Sequence, residues 1–418
     1  MKNKKFKNNL VNFRDDCRVC SNKKIKKIID LGNMPLAGGF IKKIDVKKKE
    51  IKVPLICYYC DECNLLQVKD SINSNILFDD YNYSSSTIPS LKLHFKNYAE
   101  KIKKKFKTKK EVKLLEFGSN DGVLLKEFVD NKKFTCLGVD PAINISKLAK
   151  QDGVNVYLGN FDTNAALEIE EMYGKFDYIT GSNVFAHIDD IHSVVLAAKQ
   201  LLKNNGTFVT EVHYLPNLLE LNQYDSIYHE HLNYYTLKSL VRLFKIHKLK
   251  LINAEMISTH GGSIRVSVTP NLSKKVSPKV KKILQSEKKI NNKYFDKFNK
   301  NILVQRKQIN QMLNSLILSK KRIIGYGASG RGTILLNYCN IDRKSLNYIV
   351  DESPLRAGKL MPGVKLPIFS MDYFKKNNAK VDYVLIIAWN YTDPIIKKVR
   401  KINKNIKFIV PFPYPHII

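Results

Sequence analysis

The chain has 418 residues, which exceeds one ordinary hydrophobic core and predicts roughly two to three domains. Its hydrophobic content of 44% indicates a globular protein, and the lack of any run of about 20 apolar residues argues against a membrane-spanning helix. No apolar segment follows the basic N-terminus, so we expect no signal peptide and a cytoplasmic location. The formal net charge of +33 would suit nucleic-acid binding, but the lysines are spread along the whole chain, and we expect no nucleic-acid partner.

The first predicted domain, residues 1–75, contains five of the seven cysteines. Four of them form two Cys-x-x-Cys pairs about 40 residues apart, and a reducing cytoplasm disfavours disulfides between them. Four thiolates suit a tetrahedral zinc site, which leaves no open position for catalysis and is therefore structural. Cys57 could replace one ligand, although the spacing favours the two pairs. The predicted zinc ligands are Cys17, Cys20, Cys60 and Cys63.

A polar aromatic segment and a long amphipathic helix follow the cysteines. The segment contains Tyr81 and Tyr83, and the helix is predicted over about 89–108. We interpret the helix as a connector. For the two tyrosines, packing against neighbouring residues and projection into a substrate cleft are equally compatible with the sequence.

Residues 111–255 alternate between strand and helix patterns. Such alternation predicts an α/β fold with a parallel, doubly wound sheet, whose ligands bind outside the carboxyl ends of the strands. The predicted strands are 112–117, 134–139, 154–158, 176–181, 206–213 and 248–256.

A glycine turn follows the first of these strands. Gly118 and Gly122 open a tight turn, and residues 123–128 leave it with helical spacing. A strand, a glycine turn and a helix bring backbone N–H groups close to a nucleotide-like ligand. Asp140 ends the next strand about 20 residues later, at the place of a ribose-binding acid.

The acidic side chains of this turn indicate which ligand it holds. Carboxylates are poor partners for phosphate but good partners for hydroxyl and ammonium groups. The turn therefore favours S-adenosylmethionine, a cation without phosphate, over a dinucleotide, and predicts a methyltransferase. The candidate cofactor-binding residues are Glu116, Gly118, Ser119, Asn120, Gly122, Asp140, Asn160, Phe161 and Asn183.

A second α/β unit is predicted at the C-terminal end, after a helical linker within 271–320. Its strand runs into Gly325, Gly327 and Gly330, with Asp351 about 20 residues on, which matches the dinucleotide fingerprint. Taken alone, this pattern would predict a nicotinamide site. Further strands are predicted at 346–350, 383–388 and 407–410.

The most reactive cluster of the sequence lies between these two units. It consists of Tyr228, His229, Glu230 and His231, and Thr236 then begins a predicted helix over 237–245. In an extended chain the two histidines would share one face, and Tyr228 and Glu230 the other. A metal site lacks clear third and fourth ligands here. A structural alternative is a histidine that caps the next helix or bonds a backbone carbonyl.

These motifs, in this order, resemble the three-domain sugar C-methyltransferases, which act on nucleotide-linked keto-deoxysugars. The resemblance covers nearly the whole chain. It implies a zinc-binding domain, 1–75, a central S-adenosylmethionine domain of the class I (Rossmann-like) type, 76–270, and a C-terminal Rossmann-like domain, 271–418, that helps to hold the sugar nucleotide. It also implies that the second glycine turn need not bind NAD, since such a turn serves a nucleotide diphosphate equally well.

The resemblance further implies a mechanism. A base removes the proton on C3, next to a C4 ketone, and the resulting enolate carbon accepts the methyl group. By resemblance His231 is the base, Glu230 and Tyr228 orient it or bond the sugar, and Tyr81 enters the cleft. The remaining candidate substrate-binding residues are Tyr83, His187, His260, Gly327, Ser329 and Arg331.

Two other functions are compatible with the sequence. One is an O- or N-methyltransferase of another small molecule, and the other is a zinc-knuckle RNA methyltransferase, which the charge would favour. The second predicts salt-dependent RNA binding. For assembly, we expect a monomer or a weak homo-oligomer.

Overall fold

The computed structural model describes residues 11–73 and 84–418, so the predicted site residues Tyr81 and Tyr83 lie outside the described residues. The chain divides into two compact units. Unit 1 consists of Met1–Lys26, Tyr59–Leu215 and Leu232–Lys289, and unit 2 of Lys27–Tyr58, Pro216–His231 and Ile290–Ile418. Because the chain enters each unit three times, the domain boundaries at residues 75 and 270 remain a prediction. Among the described helices, none combines the length and apolar character that crossing a membrane requires.

The described strands fall along the whole chain. In chain order they are β1 (Val11–Asn12), β2 (Lys26–Pro35), β3 (Lys52–Cys60), β4 (Leu65–Val68), β5 (Ser71–Ile72), β6 (Val112–Phe117), β7 (Phe134–Asp140), β8 (Val156–Leu158), β9 (Phe176–Ser182), β10 (Leu202–His213), β11 (Asn233–Tyr234), β12 (Lys250–Ile257), β13 (Ser263–Thr269), β14 (Ile323–Tyr326), β15 (Ile349–Val350), β16 (Ile368–Phe369), β17 (Tyr383–Ile386), β18 (Lys407–Val410) and β19 (His416–Ile417).

The described α-helices alternate with most of these strands. In chain order they are α1 (Pro89–Lys105), α2 (Ile143–Gln151), α3 (Thr163–Tyr173), α4 (Ile191–Leu201), α5 (Leu215–Glu220), α6 (Leu237–Ile246), α7 (Pro278–Ser286), α8 (Asn292–Leu318), α9 (Gly330–Tyr338), α10 (Met371–Asn377) and α11 (Thr392–Arg400).

Unit 1 is built on a seven-stranded sheet with the order β12-β13-β10-β9-β6-β7-β8. The strands from β10 to β8 are parallel to one another, as the alternating pattern predicted. The prediction of a wholly parallel sheet is wrong, because β13 was not predicted and pairs antiparallel with both β10 and β12. The cause is the sequence His260-Gly261-Gly262, whose three residues have positive φ and reverse the chain sharply.

The predicted helix after the first glycine turn is also wrong. A single 3-10 turn, Leu125–Phe128, takes its place. Val123, Leu124 and Leu125 are consecutive and all buried, whereas an amphipathic helix buries only one face. The helix after Thr236 is confirmed: the Thr236 hydroxyl accepts the N–H of Ser239 in a capping box.

Unit 2 contains a second sheet with the order β16-β15-β14-β17-β18-β19. Its first five strands are parallel, and only β19 is antiparallel to its neighbour. β14 runs into the second glycine turn and α9 follows it at once. This is the predicted Rossmann-like α/β arrangement, with buried Ile324, Val384 and Phe408 in its core.

Candidate functional site

The four predicted zinc ligands come together in unit 1. The Sγ atoms of Cys17, Cys20, Cys60 and Cys63 all lie within 4.8 Å of one another, and the Cys17–Cys63 and Cys20–Cys60 pairs are 3.4 and 3.6 Å apart. A tetrahedral zinc with Zn–S bonds of about 2.3 Å requires sulfur atoms about 3.8 Å apart. The donor set and spacing therefore fit zinc. Cys57 is buried but is not a member of this group.

The first Cys-x-x-Cys pair is tied to the rest of unit 1 through Arg18. This side chain is 1% exposed, and its Nη1 and Nη2 donate to the carbonyls of Val68 and Lys69. Its Nε donates to Asp189 at 2.7 Å, and Asp189 also accepts the Ser71 hydroxyl. The zinc group is thereby connected to the segment that follows β9.

The first glycine turn adopts a backbone that only glycine accepts easily. Gly118 has a φ of +61°, and a Cβ added there would lie 2.5 Å from the Cγ2 atom of Val184. Gly118 N–H donates to the carbonyl of Val139 at 2.8 Å, and Asn120 N–H donates to the Asp140 carboxylate at 2.8 Å. Strand β7 thus helps to fix the conformation of the glycine turn that follows β6.

The turn holds buried oxygen atoms that have no hydrogen-bond partner among the described residues. They are Oε2 of Glu116, Oγ of Ser119 and Oδ1 of Asp121. Burial, followed by the charges of Asp121, Asp140 and Glu211, raises the pKa of Glu116 well above its usual value. Buried acceptors require donors, and the ammonium and hydroxyl groups of S-adenosylmethionine supply donors and positive charge. These residues therefore fit that cofactor.

Asp140 lies at the end of β7, where a ribose-binding acid was predicted. Its two oxygens accept the N–H groups of Asn120 and Ala142 at 2.8 and 2.9 Å. Burial nevertheless raises the pKa of Asp140. Each carboxylate oxygen has a second lone pair, so ribose hydroxyls still have an acceptor here.

Polar residues after β9 also reach the carboxyl edge of the sheet. Asn183 is partly buried with a φ of +58°, and His187 is partly buried in a 3-10 turn. His260 is partly buried in the β12–β13 connection of the same unit. Asn160 is exposed, whereas Phe161 is buried and stacks on Phe117 with ring centroids 4.8 Å apart. The Phe161 ring therefore belongs to the core.

Sequence reasoning missed one charged cluster of unit 1. Glu211, near the carboxyl end of β10, is fully buried and accepts Nε of Arg265 at 2.7 Å. His94 Nε2 lies 3.1 Å from the same carboxylate, and Arg265 also contacts Glu255 at 3.0 Å. The sequence did carry two signals of this cluster: Glu211 stands in a mainly apolar segment, Phe-Val-Thr-Glu-Val, and Arg265 stands in the segment Ser-Ile-Arg-Val.

In unit 2, the predicted catalytic cluster is a tight turn and not an extended segment. His231 N–H donates to the carbonyl of Tyr228 at 2.9 Å, so the predicted pairing of His229 with His231 on one face is wrong. Instead, Tyr228 Oη lies 2.6 Å from His231 Nε2. His231 Nδ1 donates to the carbonyl of Ser226 at 3.1 Å. Because a carbonyl only accepts, the neutral imidazole carries its proton on Nδ1, and Nε2 is the basic nitrogen that accepts from Tyr228.

The other two members of the cluster have different environments. His229 is 1% exposed and donates from Nε2 to the carbonyl of Val53 at 3.1 Å. Burial lowers the pKa of His229 to about 4, so it is a neutral, structural histidine. Glu230 is partly buried and accepts the N–H of Gly38; burial raises the pKa of Glu230 to about 7. Glu230 is thus poised to exchange a proton near neutral pH.

The second glycine turn, also in unit 2, has most of its polar groups engaged. Gly327 has a φ of +96°, and a Cβ there would lie 2.4 Å from the Cβ of Ala388. The Ser329 hydroxyl caps α9 by accepting Gly332 N–H, and Asp351 accepts the N–H of Ala328 at 2.7 Å.

Arg331, in the first turn of α9, is paired inside unit 2. Its Nη2 and Nε donate to the two oxygens of Asp225 at 3.0 and 3.1 Å. Gly330 is adjacent to Tyr228, since a Cβ on Gly330 would lie 3.9 Å from the Tyr228 ring. The glycine turn and the Tyr228–His231 turn are therefore neighbours.

Three family models and one known protein match most of the chain. Family models described as a zinc binding domain, a methyltransferase domain and a C-methyltransferase C-terminal domain match residues 17–78, 92–253 and 258–413. The C-methyltransferase NovU of Streptomyces niveus is 32% identical over 409 residues, which are 97% of each chain.

Solved structures resemble part of the chain. An S-adenosylmethionine-dependent methyltransferase from Clostridium acetobutylicum is 12% identical with a TM-score of 0.33, over 42% of this chain and 91% of its own. The magnesium protoporphyrin IX methyltransferase of Synechocystis PCC 6803 is 10% identical with a TM-score of 0.32, over 42% and 78%. The identity to NovU along nearly the full length of both chains shows that this chain belongs to the sugar C-methyltransferase family and is an S-adenosylmethionine-dependent methyltransferase.

Proposed function

We propose that the protein methylates a carbon of a nucleotide-linked 4-keto-deoxysugar, at the C3 position next to the ketone. The observation that carries this proposal is the Tyr228–His231 pair of unit 2, in which Nε2 of a neutral imidazole is basic and directed at a phenol. Methylation of oxygen or nitrogen acts on an existing lone pair. A saturated carbon next to a ketone becomes nucleophilic only when it loses a proton, so a base beside a phenol that can stabilise the enolate favours C-methylation.

The residues of the Tyr228–His231 turn then have separate tasks. His231 Nε2 receives the C3 proton, and the electron pair of the C–H bond moves into an enolate with its charge on the ketone oxygen. The Tyr228 hydroxyl, released from Nε2, donates to that oxygen. Glu230, with a pKa raised to about 7, is partly protonated near neutral pH and hydrogen-bonds the sugar.

The acidic turn of unit 1 holds the methyl donor. When bound, S-adenosylmethionine would supply a methyl group attached to a sulfonium, and the sulfur would become a neutral thioether once the methyl group is transferred. Glu116 and Asp121 bind its cationic groups, with Glu116 giving up its proton as the cation binds, and Asp140 accepts from its ribose hydroxyls. Asn183 and His187 border the same edge of the sheet. The zinc group stabilises the fold of unit 1 and takes no part in the chemistry.

The substrate is an anion, and the formal net charge of +33 favours its approach. We infer that Gly327 and Ser329 shape its binding surface. Neither contributes a charge, and the Ser329 hydroxyl already accepts the N–H of Gly332. The neighbouring cation, Arg331, is already paired with Asp225. His260, a partly buried residue of unit 1, stays a proposed substrate-binding residue. We propose a cytoplasmic location, because a reducing compartment keeps the four cysteines out of disulfides and available as zinc ligands.

Hydrogen exchange at C3 tests the proposal without methyl transfer. The protein is incubated in D₂O with a nucleotide-linked 4-keto-deoxysugar and without S-adenosylmethionine, and deuterium is located by NMR. We expect exchange at C3 with the native protein, none with His231→Ala, and native exchange with His416→Ala, an exposed histidine of the same unit. Native S-adenosylmethionine affinity of His231→Ala, by calorimetry, shows that unit 1 is intact.

Two outcomes would overturn the proposal. Exchange at native rates by His231→Ala would remove His231 as the base. Methylation of the same sugar by the native protein without any C3 exchange, and with the new methyl on oxygen, would instead establish an O-methyltransferase.

A further inference from the structure

We infer that Asp225, Arg331 and Trp389 form a clamp that positions the base His231 and fixes its tautomer. The clamp lies wholly within unit 2. The inference rests on the proposed function for the role of His231, but the clamp itself is defined by contacts that do not involve substrate.

Each member of the clamp contacts both of the others. Asp225 is fully buried, and its carboxylate accepts Arg331 Nη2 and Nε at 3.0 and 3.1 Å. The Trp389 indole Nε1 donates to Asp225 Oδ2 at 2.8 Å. The Arg331 guanidinium lies 4.7 Å from the centroid of the Trp389 ring, a cation–π distance. Both oxygens of Asp225 are therefore engaged, and its position is set from two sides.

The clamp reaches His231 through one carbonyl. Asp225 and Ser226 belong to the same 3-10 turn, Tyr224–Ser226, and the Ser226 carbonyl is the acceptor of His231 Nδ1–H. On the other side of that carbonyl, Ile227 N–H donates to the carbonyl of Tyr224 at 3.0 Å. Holding Asp225 thus holds the peptide whose oxygen orients the imidazole.

Stability alone is a weak reason for this arrangement. A buried ion pair contributes little net stability compared with apolar residues of the same size. Arg331 is the second residue of α9, where the helix dipole disfavours a cation, and Asp225 offsets that charge. The bidentate fork fixes direction as well as distance, which a positioning role requires.

The clamp affects catalysis because it determines which nitrogen of His231 is basic. With the Ser226 carbonyl in place, the proton of neutral His231 stays on Nδ1, and Nε2 is the nitrogen that accepts a proton. If the turn shifts, the imidazole populates both tautomers and several orientations, and the fraction of protein that holds a correctly placed base falls.

The test compares two clamp variants with a matched control. Trp389→Phe keeps an aromatic ring and removes only the N–H donor, and Asp225→Asn keeps the shape and removes the charge. Asp382→Asn is the control. The Asp382 carboxylate accepts the N–H of Arg322 and pairs with Lys321, so its contacts do not involve the clamp residues. We expect both clamp variants to lose about tenfold or more in kcat, with KM for the sugar and the S-adenosylmethionine Kd changed less than threefold. Asp382→Asn keeps native kinetics.

A spectroscopic readout separates positioning from general structure. In protein labelled with ¹⁵N-histidine, the His231 nitrogens are assigned by their loss in His231→Gln. We expect a single Nδ1–H tautomer in the native protein and a tautomer mixture in both clamp variants. Trp389→Phe decides the question if Asp225→Asn does not fold.

The outcomes are distinct. Native kcat and a native His231 tautomer in Trp389→Phe overturn the clamp, even if its unfolding temperature falls. A changed tautomer with no C3 exchange by the native protein supports the clamp and contradicts the proposed base. A changed tautomer with a matching loss of C3 exchange supports both.

Discussion

Replacing Gly118 by alanine tests whether the first glycine turn holds the methyl donor. The new methyl group would meet Val184 Cγ2 and Cβ at 2.5 and 2.7 Å, well inside contact distance. A left-handed φ costs a non-glycine residue about 1–2 kcal/mol, and overpacking a tight site costs about 1–3 kcal/mol. The combined perturbation is therefore about 2–5 kcal/mol.

This free energy can lower either the stability of the protein or its affinity for the ligand, depending on whether the turn changes its conformation in the free protein. If the turn keeps its shape, the free energy of unfolding falls by that amount. If the turn shifts in the free protein, ligand binding must restore it, and the same free energy appears as weaker binding, from about 30-fold to several thousandfold. Calorimetry with S-adenosylhomocysteine and urea unfolding measure the two parts.

Gly174→Ala supplies the control in the same unit. Gly174 has a φ of +67°, but its Cβ would meet only Lys113 Nζ, at 3.6 Å. We expect a stability loss of about 1 kcal/mol and unchanged cofactor affinity. A Gly118→Ala protein with native affinity and no more stability loss than Gly174→Ala would refute the turn as the cofactor site.

Three further predictions concern the metal, pH and charge. The native protein binds one zinc per chain by metal analysis; Cys60→Ser loses it, and Cys57→Ser retains it. His229 has its pKa lowered to about 4 by burial, so stability is full above about pH 6.5 and is lost as pH falls toward 4. Urea unfolding should show about 2 kcal/mol less stability at pH 5 than at pH 7.5 from this group, and a smaller difference in His229→Gln. Glu116→Gln prevents this carboxyl group from ionising when the cationic cofactor binds and should weaken S-adenosylmethionine binding at least tenfold by calorimetry, whereas native affinity would exclude that contact.

The features that the sequence predicted correctly are marked by short, recognisable sequence patterns. The zinc group follows from two fixed spacings, and the helix after Thr236 from a single capping residue. The two glycine turns follow from strands that end at glycine, and at Gly118 and Gly327 an added Cβ finds no room. In each case, the sequence signal lies in one short run of residues, or in two such runs for the zinc group.

The missed features depend on context. The Tyr228–His231 turn contains no glycine, proline or asparagine, so an extended segment was the reasonable prediction, and only the hydrogen bond between its ends reveals the turn. The β12–β13 hairpin did carry a signal in Gly261-Gly262, but no strand was predicted between residues 256 and 271. An apolar run alone does not distinguish an added strand from a connector.

The charged clusters could not be predicted from spacing at all. Glu211 and Arg265 are 54 residues apart, and Asp225 and Arg331 are 106 apart. Their meeting depends on how strands and helices pack in each unit. The sequence predicted Arg331 as a substrate-binding residue, and the structure pairs it with a buried carboxylate, Asp225.

The most direct test is the position of the transferred methyl group. The protein is incubated with S-adenosylmethionine labelled with ¹³C in its methyl group and a nucleotide-linked 4-keto-deoxysugar, and the product is examined by ¹³C NMR and mass. We predict a gain of one labelled methyl in place of the C3 proton, with the label bonded to C3. A labelled methyl on oxygen or nitrogen, or no transfer to any 4-keto-deoxysugar in a panel, would contradict the proposed function.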